Sequence, residues 1–234
     1  MEIAPQSPLP SPGQPQAAPR SGKRWVWAIL AAGLALAVAG AGAWKWTRGG
    51  GSPLLQGAVL TPPVPAYDFH LPDQDGRTVS LSDLRGKVVA LTFLYTHCPD
   101  VCPLIVDTLH QVHRQLGDLA GRVAFVAVSV DPSGDTPAAL REFLSTHHVQ
   151  HELTYLRGSL AQLGPVWSHY FVESDAKDVH PGAAGASPPT AQQVGHTAVL
   201  YVIDPEGKID VFLPANFDPK DLLTDLRLLA ARNR

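Results

Sequence analysis

Three stretches of this chain are apolar almost without interruption, and the rest alternates between short strand-like runs and helical periods. Lys87 to Tyr95 and Arg122 to Val130 are dominated by β-branched and apolar residues, the pattern of strands buried on both faces. Between them, Leu104, Ile105, Leu109, Val112 and Leu116 recur at a helical period, which predicts a helix over Pro103 to Leu116. Thr136 and Pro137 cap and open another helix running from Ala138 to His147. Leu153 to Tyr155 reads as a short strand and Ser159 to His169 as a short helix. His196 to Ile203 and Lys208 to Phe212 read as antiparallel strands joined by the turn Asp204-Pro205-Glu206-Gly207, and Asp218 to Ala231 as a closing amphipathic helix. Ahead of all these, Tyr67 to Leu71 and Thr78 to Leu81 flank the turn Asp73 to Gly76 as an N-terminal hairpin.

Strand, helix, strand, helix in that order implies right-handed crossovers and a parallel central pair. A βαβ unit followed by ββα predicts an α/β domain of thioredoxin-like architecture over residues 67–234. Residues 173–195, with Pro181, Gly182, Gly185, Pro188 and Pro189, form an insertion in it. The third apolar stretch, residues 25–46, carries tryptophans at both ends and is long enough to span a bilayer, which takes about 20 residues. It predicts a single transmembrane anchor, with Arg20, Lys23 and Arg24 biasing the N-terminus toward the cytoplasm. Ala41-Gly42-Ala43 resembles a signal-peptide cleavage site, the competing reading. Residues 1–24 read as a disordered polar tail and 47–66 as a flexible linker.

A formal net charge of −3 leaves no basic footprint for nucleic acid. The chemistry concentrates in Thr96-His97-Cys98-Pro99-Asp100-Val101-Cys102-Pro103, which holds both cysteines of the chain. With the two placed one helical turn apart, Pro99 at the first helical position and Pro103 loosening the turn, their Cβ atoms lie roughly 6 Å apart. A disulfide wants about 3.5 to 4.5 Å, whereas two thiolates each about 2.3 Å from one soft ion fit with little adjustment. A helix N-terminus also lowers a thiol pKa. Two cysteines cannot close a structural zinc site, and soft thiolates with one imidazole select copper(I). Asp100 sets local charge, and Asp131 and Asp135 are candidates for ordering the neighbouring loop.

Of ten histidines, His97 adjoins Cys98 but points elsewhere without strain. His110 and His113 lie far along the helix, about 22 Å from Cys98 for the latter. His147, His148 and His151 read as a solvated cluster, and His180 falls in the insertion. His196 begins a strand after Gly195. The residues alone leave it open between a metal ligand and a partly exposed strand-start histidine.

Cys98-Pro-Asp-Val-Cys102-Pro after Phe-Leu-Tyr-Thr-His, then Ser-Val-Asp131-Pro-Ser-Gly-Asp135-Thr-Pro, then His196-Thr-Ala with Tyr-Val-Ile-Asp204-Pro-Glu-Gly, resembles the Sco (SenC) family of copper-binding assembly factors. The resemblance implies Cys98, Cys102 and His196 as ligands of one copper ion per domain. It also implies a role in building the binuclear copper centre of cytochrome c oxidase outside the cytoplasm, with the oxidase's copper-site subunit as partner. Other copper chaperones or thiol reductants are further candidate partners. The expected function is a membrane-anchored metallochaperone with its C-terminal domain on the extracytoplasmic side. The alternative is a thiol-disulfide oxidoreductase that uses Cys98 and Cys102 on the acceptor's cysteines.

Overall fold

The structure, a computed structural model, describes residues 54–174 and 198–232. The chain divides into two units, Met1–Ser52 and Pro53–Arg234, and the described residues belong to the second. The expected tail 1–24, the anchor 25–46 and most of the insertion 173–195 lie outside the described residues. Among the described residues no helix is long and apolar enough to cross a membrane.

In chain order the elements are β1 (Ala58–Pro65), β2 (His70–Pro72), β3 (Thr78–Ser80), β4 (Val88–Leu94), α1 (Val101–Leu116), β5 (Val123–Ser129) and α2 (Pro137–Thr146). They continue as β6 (Leu153–Leu156), α3 (Leu160–His169), β7 (Val199–Ile203), β8 (Lys208–Pro214) and α4 (Pro219–Arg232). Six strands form one sheet in the order β1-β8-β7-β4-β5-β6, and β2 pairs β3 in a separate hairpin. β4, β5 and β6 run parallel, while β7, β8 and β1 alternate antiparallel beside them. Every residue of β4 is buried, as its unbroken apolar run predicts for a central strand covered on both sides.

The register places Ala90, Thr92, Phe125 and Tyr155 on one face. There His113 of α1 meets Phe125 edge-on and Phe143 of α2 meets Tyr155 edge-on, and α4 packs against α1. On the opposite face Tyr170, just after α3, packs against Phe93 and Tyr201 with ring centroids 5.5 and 5.3 Å apart. Thr136 and Ser159 cap α2 and α3, each accepting a backbone N–H from three residues on.

Two expectations need correction. The second half of the expected linker 47–66 is β1, an edge strand whose pairing with β8 is interrupted between Val59 and Val64, across Pro62 and Pro63. Prolines are tolerated at an edge, where an amide has no ladder partner to lose. Nearly every β1 residue is exposed, so no apolar alternation marks it. The domain is pinned even earlier, because the Gln56 and Gly57 amides donate to the buried Asp225 carboxylate of α4 at 2.6 and 3.0 Å.

The second correction concerns α1. It opens at Val101 with Asp100 as N-cap, so Cys98 and Pro99 precede the helix and only Cys102 lies on it. Pro103 is the third helical residue, where an amide has no intrahelical partner in any case. It therefore weakens nothing there.

Candidate functional site

Chain leaving the C-terminal end of β4 runs through Tyr95, Thr96 and His97 to Cys98, and one residue beyond Asp100 enters α1. The two cysteines meet at this end of the sheet, both as free thiols. Cys102 is fully buried and Cys98 is 8% exposed. The Cys102 amide donates to the Cys98 sulfur at 3.4 Å, so the first turn of the helix aims an unpaired N–H at that sulfur.

The thiols are unequal. Burial pushes the Cys98 pKa up, but hydrogen bonds from the Asp100 and Cys102 amides, the Cys102 thiol and Tyr95 outweigh it, and the net result lies below the usual thiol value of 9.0. Burial drives the Cys102 thiol far up, with Cys98 and Asp135 adding repulsion. Cys98 is thus the residue readier to exist as thiolate, and Cys102 holds its proton until something replaces it.

Beneath the loop lies a buried carboxylate. Asp135, fully buried, takes the Thr96 amide and hydroxyl on Oδ1 at 2.8 and 2.7 Å. Its Oδ2 accepts from the Ser129 hydroxyl at 2.5 Å and from the Tyr155 hydroxyl at 3.4 Å. Its backbone carbonyl accepts from Arg157 Nε. One side chain therefore ties together the ends of β4, β5 and β6 directly below the cysteine loop. Burial raises its pKa, with the Ser129 and Thr96 bonds opposing. The local ordering role expected of Asp135 is widened here by Thr96, Ser129 and Tyr155, which no motif singles out. Partners 39, 6 and 20 residues away leave no short-range signature.

Asp131 does act locally, accepting the Ser133 amide and hydroxyl and the Gly134 amide on Oδ1. A Cβ at Gly134 would sit 2.1 Å from Asp131 Oδ2 and 3.4 Å from His97 Nδ1, so glycine permits this close approach. His97, Asp131 and Asp135 present nitrogen and oxygen atoms within 4.8 Å of one another, but both oxygens of Asp135 are already saturated by hydrogen bonds.

The other histidines serve elsewhere. His110 and His113 bracket Glu152 at 2.7 and 3.4 Å, and His147 pairs with Asp107 at 2.7 Å. His151 and His148 are exposed. His180, Gly195 and the expected ligand His196 lie outside the described residues, although Ala198, two residues past His196, is placed. Thr92 Oγ1, on the central strand, donates to the Val199 carbonyl at 3.1 Å at the start of β7.

Comparison with known proteins agrees with the architecture. The family model SCO1/SenC matches residues 61–231. The mitochondrial SCO2 homolog of Bos taurus is 33% identical over 83% of this chain and 70% of its own. Mitochondrial SCO2 of Saccharomyces cerevisiae is 33% identical over 68% of this chain, and the match spans only 50% of the yeast protein. Among solved structures, Bradyrhizobium japonicum ScoI with copper bound superposes with a TM-score of 0.58 at 31% identity, covering 71% of this chain and 99% of that one. The chain belongs to the SCO1/SenC family.

Proposed function

We propose that this protein is a membrane-anchored, extracytoplasmic copper metallochaperone that holds one copper ion through Cys98, Cys102 and His196. It delivers the ion to the copper-site subunit of cytochrome c oxidase during assembly of the binuclear centre. The observation that carries this reading is the pair of free sulfurs at the end of the central strand, one supported as an anion by the Cys102 amide 3.4 Å away. Two soft donors, Cys98 in the loop before α1 and Cys102 in its first turn, suit copper(I), and ScoI of Bradyrhizobium japonicum, at 31% identity, is solved with copper bound. The fit rests on the donor set: Cys98 offers a thiolate, Cys102 gives up its proton as the ion takes its place, and a single imidazole leaves the coordination sphere open. An acceptor's thiolates and imidazoles can then take the ion by ligand exchange. The residues 25–46 supply the anchor in this reading. Copper(I) titration of the reduced domain tests it: one equivalent bound by the wild type and none retained by Cys98→Ser.

A second reading is favoured by the inequality of the thiols. A low-pKa Cys98 beside a buried, protonated Cys102 suits thiol-disulfide exchange on the acceptor's cysteines. Cys98 attacks the target disulfide, Cys102 displaces the mixed disulfide, and two protons pass to the released thiols. Rapid reduction of a disulfide-bonded acceptor by the copper-free protein, with Cys98 and Cys102 oxidised in return, would mark this activity.

A further inference from the structure

The distance that excludes His110 and His113 from the thiol pair leaves them free for chemistry of their own. They stand three residues apart on α1, the spacing that puts neighbours on one helix face. Both aim at one side chain: His110 Nδ1 lies 2.7 Å from Glu152 Oε2 and His113 Nδ1 lies 3.4 Å from Glu152 Oε1. A carboxylate only accepts, so both Nδ1 atoms carry hydrogen in this arrangement. Glu152 is set in place by the turn before β6, where its amide and that of Leu153 both donate to the Val149 carbonyl at 3.0 Å. Val149 and Leu153, on either side of it, are buried. The His113 ring is steadied edge-on by Phe125 at 5.9 Å, and Val106 and Leu109 complete an apolar floor beneath His110 and Glu152. One turn earlier on α1, Asp107 pairs with His147 at the end of α2, which fastens the frame on its other side.

The charge of Glu152 is poorly answered there. Its side chain is only 19% exposed, and among the described residues no lysine or arginine pairs with it. A carboxylate over an apolar floor gains strongly from a cation of its own. Two imidazoles and a glutamate, with water in the fourth position, are a donor set that zinc accepts. Nitrogen and oxygen donors suit borderline divalent ions, whereas thiolates draw copper(I), so the two places on α1 differ in the metal they select.

We propose that His110, His113 and Glu152 form a second metal site, for a borderline divalent cation such as zinc, separate from the thiol pair. His110 lies about 12 Å along the helix axis beyond Cys102, so one ion cannot serve both places. The two nitrogens now address different oxygens of Glu152. A turn of that carboxyl and of the His113 ring, with side chains 19% and 28% exposed, encloses one ion. The ion takes both Nδ1 lone pairs, the hydrogen on each ring moves to Nε2, and no proton is released. Bound there, it clamps the middle of α1 to the turn that leads into β6.

Zinc titration of the full chain tests this, with Cys98→Ala and Cys102→Ala removing the thiols from competition. That protein is expected to bind one equivalent of zinc and to melt at a higher temperature with it. Loss of even an outer partner of a metal site costs about 10- to 100-fold in affinity. His110→Gln with His113→Gln should therefore weaken zinc at least about tenfold and abolish the rise in melting temperature. Glu152→Gln, which keeps the shape of the side chain and removes its charge, should act likewise and decides the matter if the histidine substitutions unfold the domain. If the thiol-free protein does not fold, the wild type takes its place, and Glu152→Gln should remove one equivalent from the total bound. No zinc held by the folded thiol-free protein, or zinc held equally well after these substitutions, overturns the site.

Discussion

Asp135 and Thr96 are joined twice, one carboxylate oxygen accepting both the threonine amide at 2.8 Å and its hydroxyl at 2.7 Å. Thr96 stands two residues before Cys98, so the path of the cysteine loop depends on a side chain from a separate crossover. Asp135→Ala leaves the Thr96 amide and the Ser129 hydroxyl without their acceptor. Losses of that kind cost about 2 to 4 kcal/mol. Urea unfolding of the reduced domain should show that drop, with copper binding weakened; an unchanged midpoint would remove Asp135 from this role.

The same carboxyl has a pH signature. Burial holds its folded pKa above the ordinary 3.8. A group with a raised folded pKa contributes fully below the unfolded value and loses that contribution as pH rises through the folded one. The wild-type domain should therefore lose stability as pH climbs above about 4, and Asp135→Asn, which cannot ionise, should lose less. Asp210 and Asp225 are raised by burial as well but are common to both proteins and cancel in the comparison. Denaturation series across the acid-to-neutral range check this, and parallel curves would contradict it.

Alkylation should separate the two thiols. In the copper-free, reduced protein, iodoacetamide should modify Cys98 with an apparent pKa below that of a free thiol, while Cys102 remains unmodified until the domain opens. Peptide mass spectrometry over a pH series reads both sites at once. Equal modification of the two would mean that the helix turn does not distinguish them.

Much of this architecture was legible because burial is written into composition. β4 and β5 are continuous apolar runs since both faces of each are covered, and Thr136 and Ser159 announce their helices by capping. β1 was illegible for the converse reason: an exposed edge strand interrupted at Pro62 and Pro63 has neither alternation nor a continuous run. The spacing of Cys98 and Cys102 marks the site, but the two do not share a helix, because Asp100 caps α1 and Cys98 precedes it. The Asp135 network was beyond reach, since the residues that meet there come from two strands, β5 and β6, and two separate loops.

Loss of β1 has a measurable cost. A chain beginning at Tyr67 removes β1, uncovers the edge of β8 at Val211 and Phe212, and leaves Asp225 without the Gln56 and Gly57 amides. Compared with a chain beginning at Leu54, it should melt at least several degrees lower and self-associate through the bare edge. Thermal unfolding with light scattering measures both, and identical behaviour would show that β1 is dispensable.

The proposed copper site is made by Cys98, Cys102 and His196. X-ray absorption of the copper(I)-loaded protein tests it most directly, comparing the wild type with His196→Ala and Cys98→Ser. One equivalent of copper bound by two sulfurs and one nitrogen is expected, with the nitrogen lost in His196→Ala and no stable copper in Cys98→Ser. A Cys98→Ser protein that still holds a full equivalent would contradict it.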